Sequence, residues 1–308
     1  MIRTVVLLAA VLSQGSRALR PHDLLWGEAG HRITAQAAAA ALPAAMPQFF
    51  RDAAPQFAYL NPEPDRWRAR DESRLDAALE GATAPDHFLD LELIPANRRV
   101  GALGAKDRYA FSDSLRAADV DPATAGVLPF AMLEVTQRIR VAFRQWRRAP
   151  NETERKWIEA RIINDAGILG HYVADGSNPA HTTIHYNGWV GANPNGYATD
   201  NRFHGRFESA FVQSRVKLVD VEPAVDRNAA VLPALRPAII AYFMQTHADV
   251  ERLYQLDKVS PFNAAQPGDE HKAFAVTRLA AGATMLRNLW WTAWVTSAAD
   301  GSSAPGDR

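Results

Sequence analysis

Apolar residues recur along this chain at helical spacing, and the segments that carry them are bounded by helix start and stop signals. GHRITAQAAAAAL, residues 30–42, is Ala-rich and stops at Pro43. PFAMLEVTQRIRVAFRQWRR, residues 129–148, sets Leu133, Ile139, Val141, Phe143 and Trp146 among Arg and Gln, the pattern of a helix with one buried face. NETE at 151–154 has the Asn-x-x-Glu form of a capping box. It should start a long helix through Trp157, Ile162, Ile163, Ile168 and Leu169, with His171 and Asp175 at its end. Further helices are predicted over 202–216, 237–256 and 271–295. Alternating strand patterns are scarce, and the Asn-Gly pairs at 187 and 195 fall in a Gly/Asn/Tyr-rich connection from Thr182 to Asn201. The expected fold class is all-α, a single-domain multi-helix bundle.

Composition narrows the chemistry. A chain of 308 residues, 47% hydrophobic, is ample for one large core. With 34 basic and 34 acidic residues the formal net charge is zero, so an anionic substrate would have to be held locally rather than by a bulk field. The absence of cysteine removes disulfides, thiolate nucleophiles and iron–sulfur clusters, and it leaves His, Asp and Glu as metal ligands. The N-terminus, MIRTVVLLAAVLSQGSRA, has a basic start at Arg3, an apolar run too short to span a membrane, and then small and polar residues. That is the layout of a secretory signal peptide. Residues 1–25 are therefore expected to be the signal and a short segment before Trp26, 26–298 the functional domain and 299–308 a polar tail. The expected location is periplasmic or secreted, with no integral membrane segment after signal removal. Asp23 and Leu25 stand before Trp26 where a signal peptidase prefers small residues, which leaves the cleavage point undefined.

His171 and Asp175, four residues apart on a helix, stack on one face, and His204 and Glu208 repeat that geometry on the next helix. A single pair of this kind is usually a surface ion pair or a hydrogen-bonded core histidine. Two pairs within forty residues, with His181 between them and apolar or small neighbours around each imidazole, point instead to metal ligation.

Upstream lie WGEAGH (26–31), PEPDRWR (62–68) and DHFLD (86–90). With these motifs the chain resembles the zinc-dependent superfamily that contains the single-strand-specific nucleases of the S-one/P-one type and the bacterial zinc-dependent phospholipases C. The resemblance runs from Trp26 to Glu208 and implies an all-α fold holding three zinc ions in a cleft. It implies that Asp65, His87, His171 and Asp175 surround one zinc. Asp175 would bridge to a second, held also by His31 and by the amine and carbonyl of Trp26, and His181, His204 and Glu208 would hold the third. Five imidazoles and three carboxylates are a donor set suited to zinc. Two ions joined by a carboxylate lie roughly 3.5 to 4 Å apart, close enough to share a hydroxide nucleophile, so the implied reaction is phosphodiester hydrolysis.

Local features bear on the substrate. The spacing from Trp26 to His31 and the long stretch from His181 to His204 resemble the nucleases. Arg68 matches the family arginine that contacts the scissile phosphate, beside Asp65 and Asp175 as catalytic residues. Phe88 and Asp90 match the nuclease positions where a ring stacks on the base and a carboxylate accepts its hydrogen bonds, although the same motif occurs in the phospholipases. Glu208 stands where the nucleases usually carry Asp and the phospholipases Glu. Arg66 and Ala84 occupy positions where choline-binding phospholipases have aromatic residues, so a cationic headgroup cage would be incomplete. The expectation is a secreted zinc-dependent endonuclease of single-stranded DNA or RNA. A phospholipase C acting on a phospholipid headgroup and a non-catalytic zinc-binding protein are the alternatives. His185, His247 and His271 fall outside the motifs and are expected to hold no metal.

Overall fold

The Asn151 side chain accepts the Glu154 amide at 2.9 Å, and from that cap a helix runs without a break from Glu152 to Ser177. The computed structural model describes residues 27–299, and helices dominate it, with no strand among the described residues. The signal-like segment, Trp26 and the tail beyond residue 299 lie outside the described residues. Seven helices build the body: α1 (Glu28–Ala40), α2 (Ala54–Leu60), α3 (Leu128–Arg147), α4 (Glu152–Ser177), α5 (Leu235–His247), α6 (Val250–Val259) and α7 (Asp269–Thr296). Helices α3 and α4 form an antiparallel hairpin across a short turn, and α1 and α7 pack against α4 and each other.

A cluster of rings joins these helices. Phe50, Phe57 and Trp290 meet with centroids 4.6 to 5.3 Å apart, and Phe143 from α3 closes on Phe50 at 5.6 Å. The short helix α2 crosses α4 at Gly167 and Gly170, one turn apart. A methyl group at Gly167 would lie 2.3 Å from Leu60 Cβ, and one at Gly170 would lie 2.4 Å from Asn61 Nδ2. Those two positions let the end of α2 reach the backbone of α4, which brings Asn61 against the next residue on α4, His171.

The predicted helices agree with the observed ones within two residues at most ends, with two differences. The segment 237–256 is not one helix: α5 stops at His247 and α6 starts at Val250. Buried Arg278 of α7 accounts for the break, because it donates to the Asp249 carboxylate at 2.6 Å, the Thr246 hydroxyl at 2.9 Å and the Ser177 carbonyl at 3.0 Å. A continuous helix would turn Asp249 away from that guanidinium, leaving a buried charge poorly paired. Second, the segment 202–216 is helical throughout but widens into a π-helical turn over Arg206–Phe211. Short helices at Gln48–Asp52, Ala54–Leu60, Glu63–Arg66, Ala96–Leu103 and Arg108–Arg116 were not legible as periodic segments, being too short to display a period. Among the described residues no helix is long and apolar enough to cross a membrane.

Candidate metal centre

The C-terminal half of α4 is buried almost throughout, and its last two turns carry His171 and Asp175 into the interior, 0% and 1% exposed. Four other pieces of chain close on them. The first turn of α1 brings His31, the short helix Glu63–Arg66 brings Asp65, a tight turn over Ala84–His87 brings His87, and the Pro179–His181 turn after α4 brings His181. His204 and Glu208 come from the widened helix beyond the long loop. All eight described residues of the expected ligand set are thus brought together, in three groups able to hold a metal ion.

The donor spacing of one group can be tested against zinc. Asp65 Oδ1, His87 Nδ1, His171 Nε2 and Asp175 Oδ2 lie 2.9 to 3.8 Å from one another along the measured edges. Tetrahedral zinc with bonds of about 2.0 to 2.1 Å needs its ligand atoms about 3.3 Å apart, so the set brackets that value. The other Asp175 oxygen, Oδ1, faces His31 Nε2 at 3.6 Å and His181 Nδ1 at 3.7 Å. In the third group His181 Nε2 lies 3.7 Å from Glu208 Oε2, and His204 Nε2 is in direct contact with the same oxygen. His181 Nε2 and Glu208 Oε1 are buried with no hydrogen-bond partner, which a bound cation would satisfy.

Oxygens on the outer side decide which nitrogen of each ring faces inward. His31 Nδ1 donates to the Asn61 side-chain oxygen at 2.9 Å, and His171 Nδ1 to the Asn61 carbonyl at 2.9 Å. His181 Nδ1 donates to the His87 carbonyl at 2.7 Å, and His204 Nδ1 to the Tyr186 carbonyl at 3.3 Å. With Nδ1 donating outward, Nε2 of each ring turns toward the carboxylates, where a bound cation would meet its lone pair. This arrangement of an inner lone pair and an outer fixed N–H is typical of ligating histidines. Neither Asn61 nor Glu92, described next, was singled out in the sequence. The one available signal for Asn61 is a polar residue ending the apolar stretch Phe57-Ala58-Tyr59-Leu60.

Two irregular segments lying side by side hold His87 and His181 in register. Leu89 N donates to the His181 carbonyl at 2.9 Å and Leu91 N to the Thr182 carbonyl at 3.2 Å. At the far end the Glu92 carboxylate accepts the Thr183 hydroxyl at 2.5 Å and the Ile184 amide at 3.1 Å. On the other side His247 Nδ1 donates to the Thr182 carbonyl at 3.0 Å.

Burial and charge shape the titration of these groups. Burial presses the His31 pKa well below the ordinary imidazole value and takes His87 down to about 4. Burial acts the same way on His181, but the Asp175 and Glu208 carboxylates outweigh it and raise its pKa to about 10. Burial would raise Asp175, yet the facing His171 and His181 hold it well below the carboxylate range. Asp65 is pushed up to about 6, chiefly by burial, and Asp90 to about 7 by burial and the nearby Glu92 charge. Three carboxylates gathered around inward lone pairs form a buried anionic nest whose natural counterpart is a cation.

The remaining expected site residues border this nest. Arg68 turns its guanidinium to Asp65, 3.8 Å away, whereas Arg66 in the same run is engaged by Glu63 and Glu28, each at 2.8 Å. Phe88 is half-buried, its ring against Gly126 and not in the main hydrophobic core. Asp90 is buried two residues further on. The three histidines outside the motifs have other partners: His185 stacks on Trp189 at 3.9 Å, His247 binds the Thr182 carbonyl, and His271 binds the Leu256 and Ser260 carbonyls. Compared with protein-family models, with curated proteins and with solved structures, the chain finds no match.

Proposed function

We propose that this chain is a zinc-dependent phosphodiester hydrolase acting on single-stranded DNA or RNA. The observation that carries the reading is the double engagement of Asp175, whose Oδ1 faces His31 and His181 while its Oδ2 faces His87 and His171. A carboxylate so placed could hold two neighbouring cations, and paired metals of that kind would suit phosphodiester hydrolysis. Three zinc ions are proposed: one with Asp65, His87, His171 and Asp175, one with His31, Asp175 and Trp26, and one with His181, His204 and Glu208. Zinc held there would supply Lewis acidity toward a phosphoryl oxygen and lower the pKa of water.

The chain's own residues orient the substrate. Arg68 sets a planar fork of donors beside the nest, where a phosphate oxygen gaining charge would be met. The half-buried Phe88 ring offers a face to an unpaired base, and a duplex would hide that base, so single strands are favoured without sequence readout. Asp90, with its pKa near 7, can accept or donate a hydrogen bond at a base edge at neutral pH. The N-terminal pattern supports export to a periplasm or the outside.

The testing experiment is a parallel assay of the zinc-loaded chain on single-stranded polynucleotide, phosphatidylcholine vesicles and a small baseless phosphodiester. Cleavage of the polynucleotide is expected, with Arg68→Ala slowing both phosphodiesters by on the order of a hundredfold. Phe88→Ala is expected to weaken only the polynucleotide. Cleavage of phosphatidylcholine alone would replace the nuclease reading with a phospholipase C, and zinc bound without turnover would replace it with a non-catalytic binder.

A further inference from the structure

Far from the donor groups, the C-terminal ends of α3 and α7 and the start of α4 meet in a run of stacked guanidinium and indole groups. Arg155 of α4 lies over the Trp146 ring of α3 at 5.0 Å, the Trp146 and Trp294 rings are 5.9 Å apart between centroids, and Arg147 lies over Trp294 at 3.4 Å. Arg144 and Arg140 continue the run back along α3 at helical spacing. Arg140 donates to the Thr296 hydroxyl at 2.9 Å and the Thr296 carbonyl at 3.1 Å, and Arg147 to the Ser297 hydroxyl at 2.9 Å and the Trp294 carbonyl at 3.0 Å. Those bonds cap the last turn of α7. The acceptors are neutral, however, and the buried Nε of Arg144 has no hydrogen-bond partner.

Positive charge is therefore concentrated at this end. Between Gln137 and Arg161 stand eight cations and three carboxylates, in a chain whose formal net charge is zero. Among the described residues no carboxylate offsets Arg140 or Arg147: burial lowers both pKa values, and the Arg144 charge lowers that of Arg140 further. Arg155 has Glu152 at 3.7 Å, an exposed pair that neutralises little. Such a field attracts an anionic surface. Two features select a lipid surface over a nucleic-acid strand. Half-buried indoles interleaved with cations are the composition of a membrane interface, where an amphipathic ring sits at headgroup level beside phosphates. The patch also lies 16 to 20 residues along α4 from His171 and Asp175, about 24 to 30 Å, so it shares no phosphate with the donor groups.

We propose that this guanidinium–indole end of the bundle docks on an anionic lipid bilayer, its arginines meeting headgroup phosphates. The contact holds the chain on a membrane while the donor groups, at the other end of α4, stay clear of the lipid. It depends on neither the zinc nor the nuclease reading. Each arginine near an anionic bilayer strengthens binding about fivefold, and the attraction is screened by salt.

The test is co-sedimentation of the full chain with vesicles of phosphatidylcholine alone and of phosphatidylcholine mixed with phosphatidylglycerol, at low and high salt. Tighter binding to the mixed vesicles is expected, weakening as salt is raised. Arg144→Gln should weaken it about fivefold, and Arg144→Gln combined with Arg155→Gln about 25-fold. Arg144→Lys, which keeps the charge, should bind as the parent does. So should Arg252→Gln, which removes a cation paired with Glu270 at the opposite end of α7. Parent-like binding by the double variant would overturn the proposal, as would equal binding of the two kinds of vesicle or equal weakening by Arg252→Gln. A fall in Arg144→Lys as large as that in Arg144→Gln would mark a packing role and overturn it too. Weaker binding of a single-stranded oligonucleotide by the double variant, with vesicle binding intact, would reassign the patch to nucleic acid and refute the lipid contact.

Discussion

His31 and His171 lie face to face, ring centroids 4.1 Å apart and planes 9° from parallel, and each gives its Nδ1 proton to a different oxygen of Asn61. One fully buried asparagine therefore sets the orientation of an inward-facing ring on α1 and of another on α4.

Asn61→Leu removes the acceptor of His31 and leaves the main-chain carbonyl that serves His171. Zinc affinity at the His31 group should fall about 10- to 100-fold, read by competition against a chromogenic chelator, while Asn61→Asp should retain it. Gly170→Ala should act in the same direction without touching any hydrogen-bonding atom, because the new methyl group meets the Asn61 amide. Parent-like affinity in both Asn61→Leu and Gly170→Ala would show that Asn61 does not orient the rings.

Asp175→Ala should be the most damaging single substitution, since four imidazoles face its two oxygens. Elemental analysis is expected to show loss of more than one zinc per chain, and phosphodiester turnover should fall by more than about a hundredfold. His271→Gln is the control, because that ring binds the Leu256 and Ser260 carbonyls away from every donor group. Equal zinc loss in the two variants would contradict the assignment.

Glu92→Ala cuts the last rung between the chain pieces that carry His87 and His181. The Thr183 hydroxyl and Ile184 amide lose their acceptor, a cost of about 1 to 3 kcal/mol in denaturant unfolding. The His181 group should loosen first, so one zinc is expected to be lost at chelator concentrations that leave the others in place. Release of all zinc in a single step would argue against a local brace.

The pH dependence follows from the shifts in the metal-free chain. His181 is raised to about 10 from 6.5, so the folded state holds a proton that the unfolded chain releases. The stability this contributes is complete below pH 6.5 and is lost as the pH rises toward 10. Asp65, raised to about 6 from 3.8, acts in the same sense between those values. His87, lowered to about 4 from 6.5, opposes it, and its penalty is felt as the pH falls through that window. Zinc held by His181 would take the place of its proton and would bind more tightly as imidazoles lose theirs. The gap in Tm between zinc-loaded and chelator-treated protein should therefore widen from pH 6.5 to 8.5 in scanning calorimetry, and a narrowing gap would contradict this account.

The longest helices and the two four-residue pairs of His and carboxylate were readable because their information is local, whereas His31, Asp65 and His87 were reached only through the resemblance of their motifs. The Asn151 cap, the apolar spacing of α3 and α4, and the four-residue intervals in His171/Asp175 and His204/Glu208 can each be seen within one turn or a few. Asn61 and Glu92 could not be found that way. Their partners are 110 and 92 residues distant, joined only when α2 crosses α4 and when two irregular segments align. The break at Asp249 was hidden for the same reason, since the Arg278 that demands it lies on another helix. Trp26, the remaining member of the expected set, lies outside the described residues.

The π-helical turn over Arg206–Phe211 has a consequence for how this centre tolerates genetic change. Such a turn accommodates one residue more than a regular helix would. On its early side His204 and Glu208 face the donors, and on its late side Phe211 and Val212 enter the core. In an unwidened helix those two faces fall out of phase by one residue, about 100° of rotation. Loss of a single codon between Ser209 and Phe211 would close the turn and force either the carboxylate away from His181 or the two apolar side chains into water. Point substitutions leave the phase intact, so this helix should accept many replacements at its exposed positions and no single-residue deletion. A deletion scan from Arg202 to Arg215 would map the boundary between the two faces.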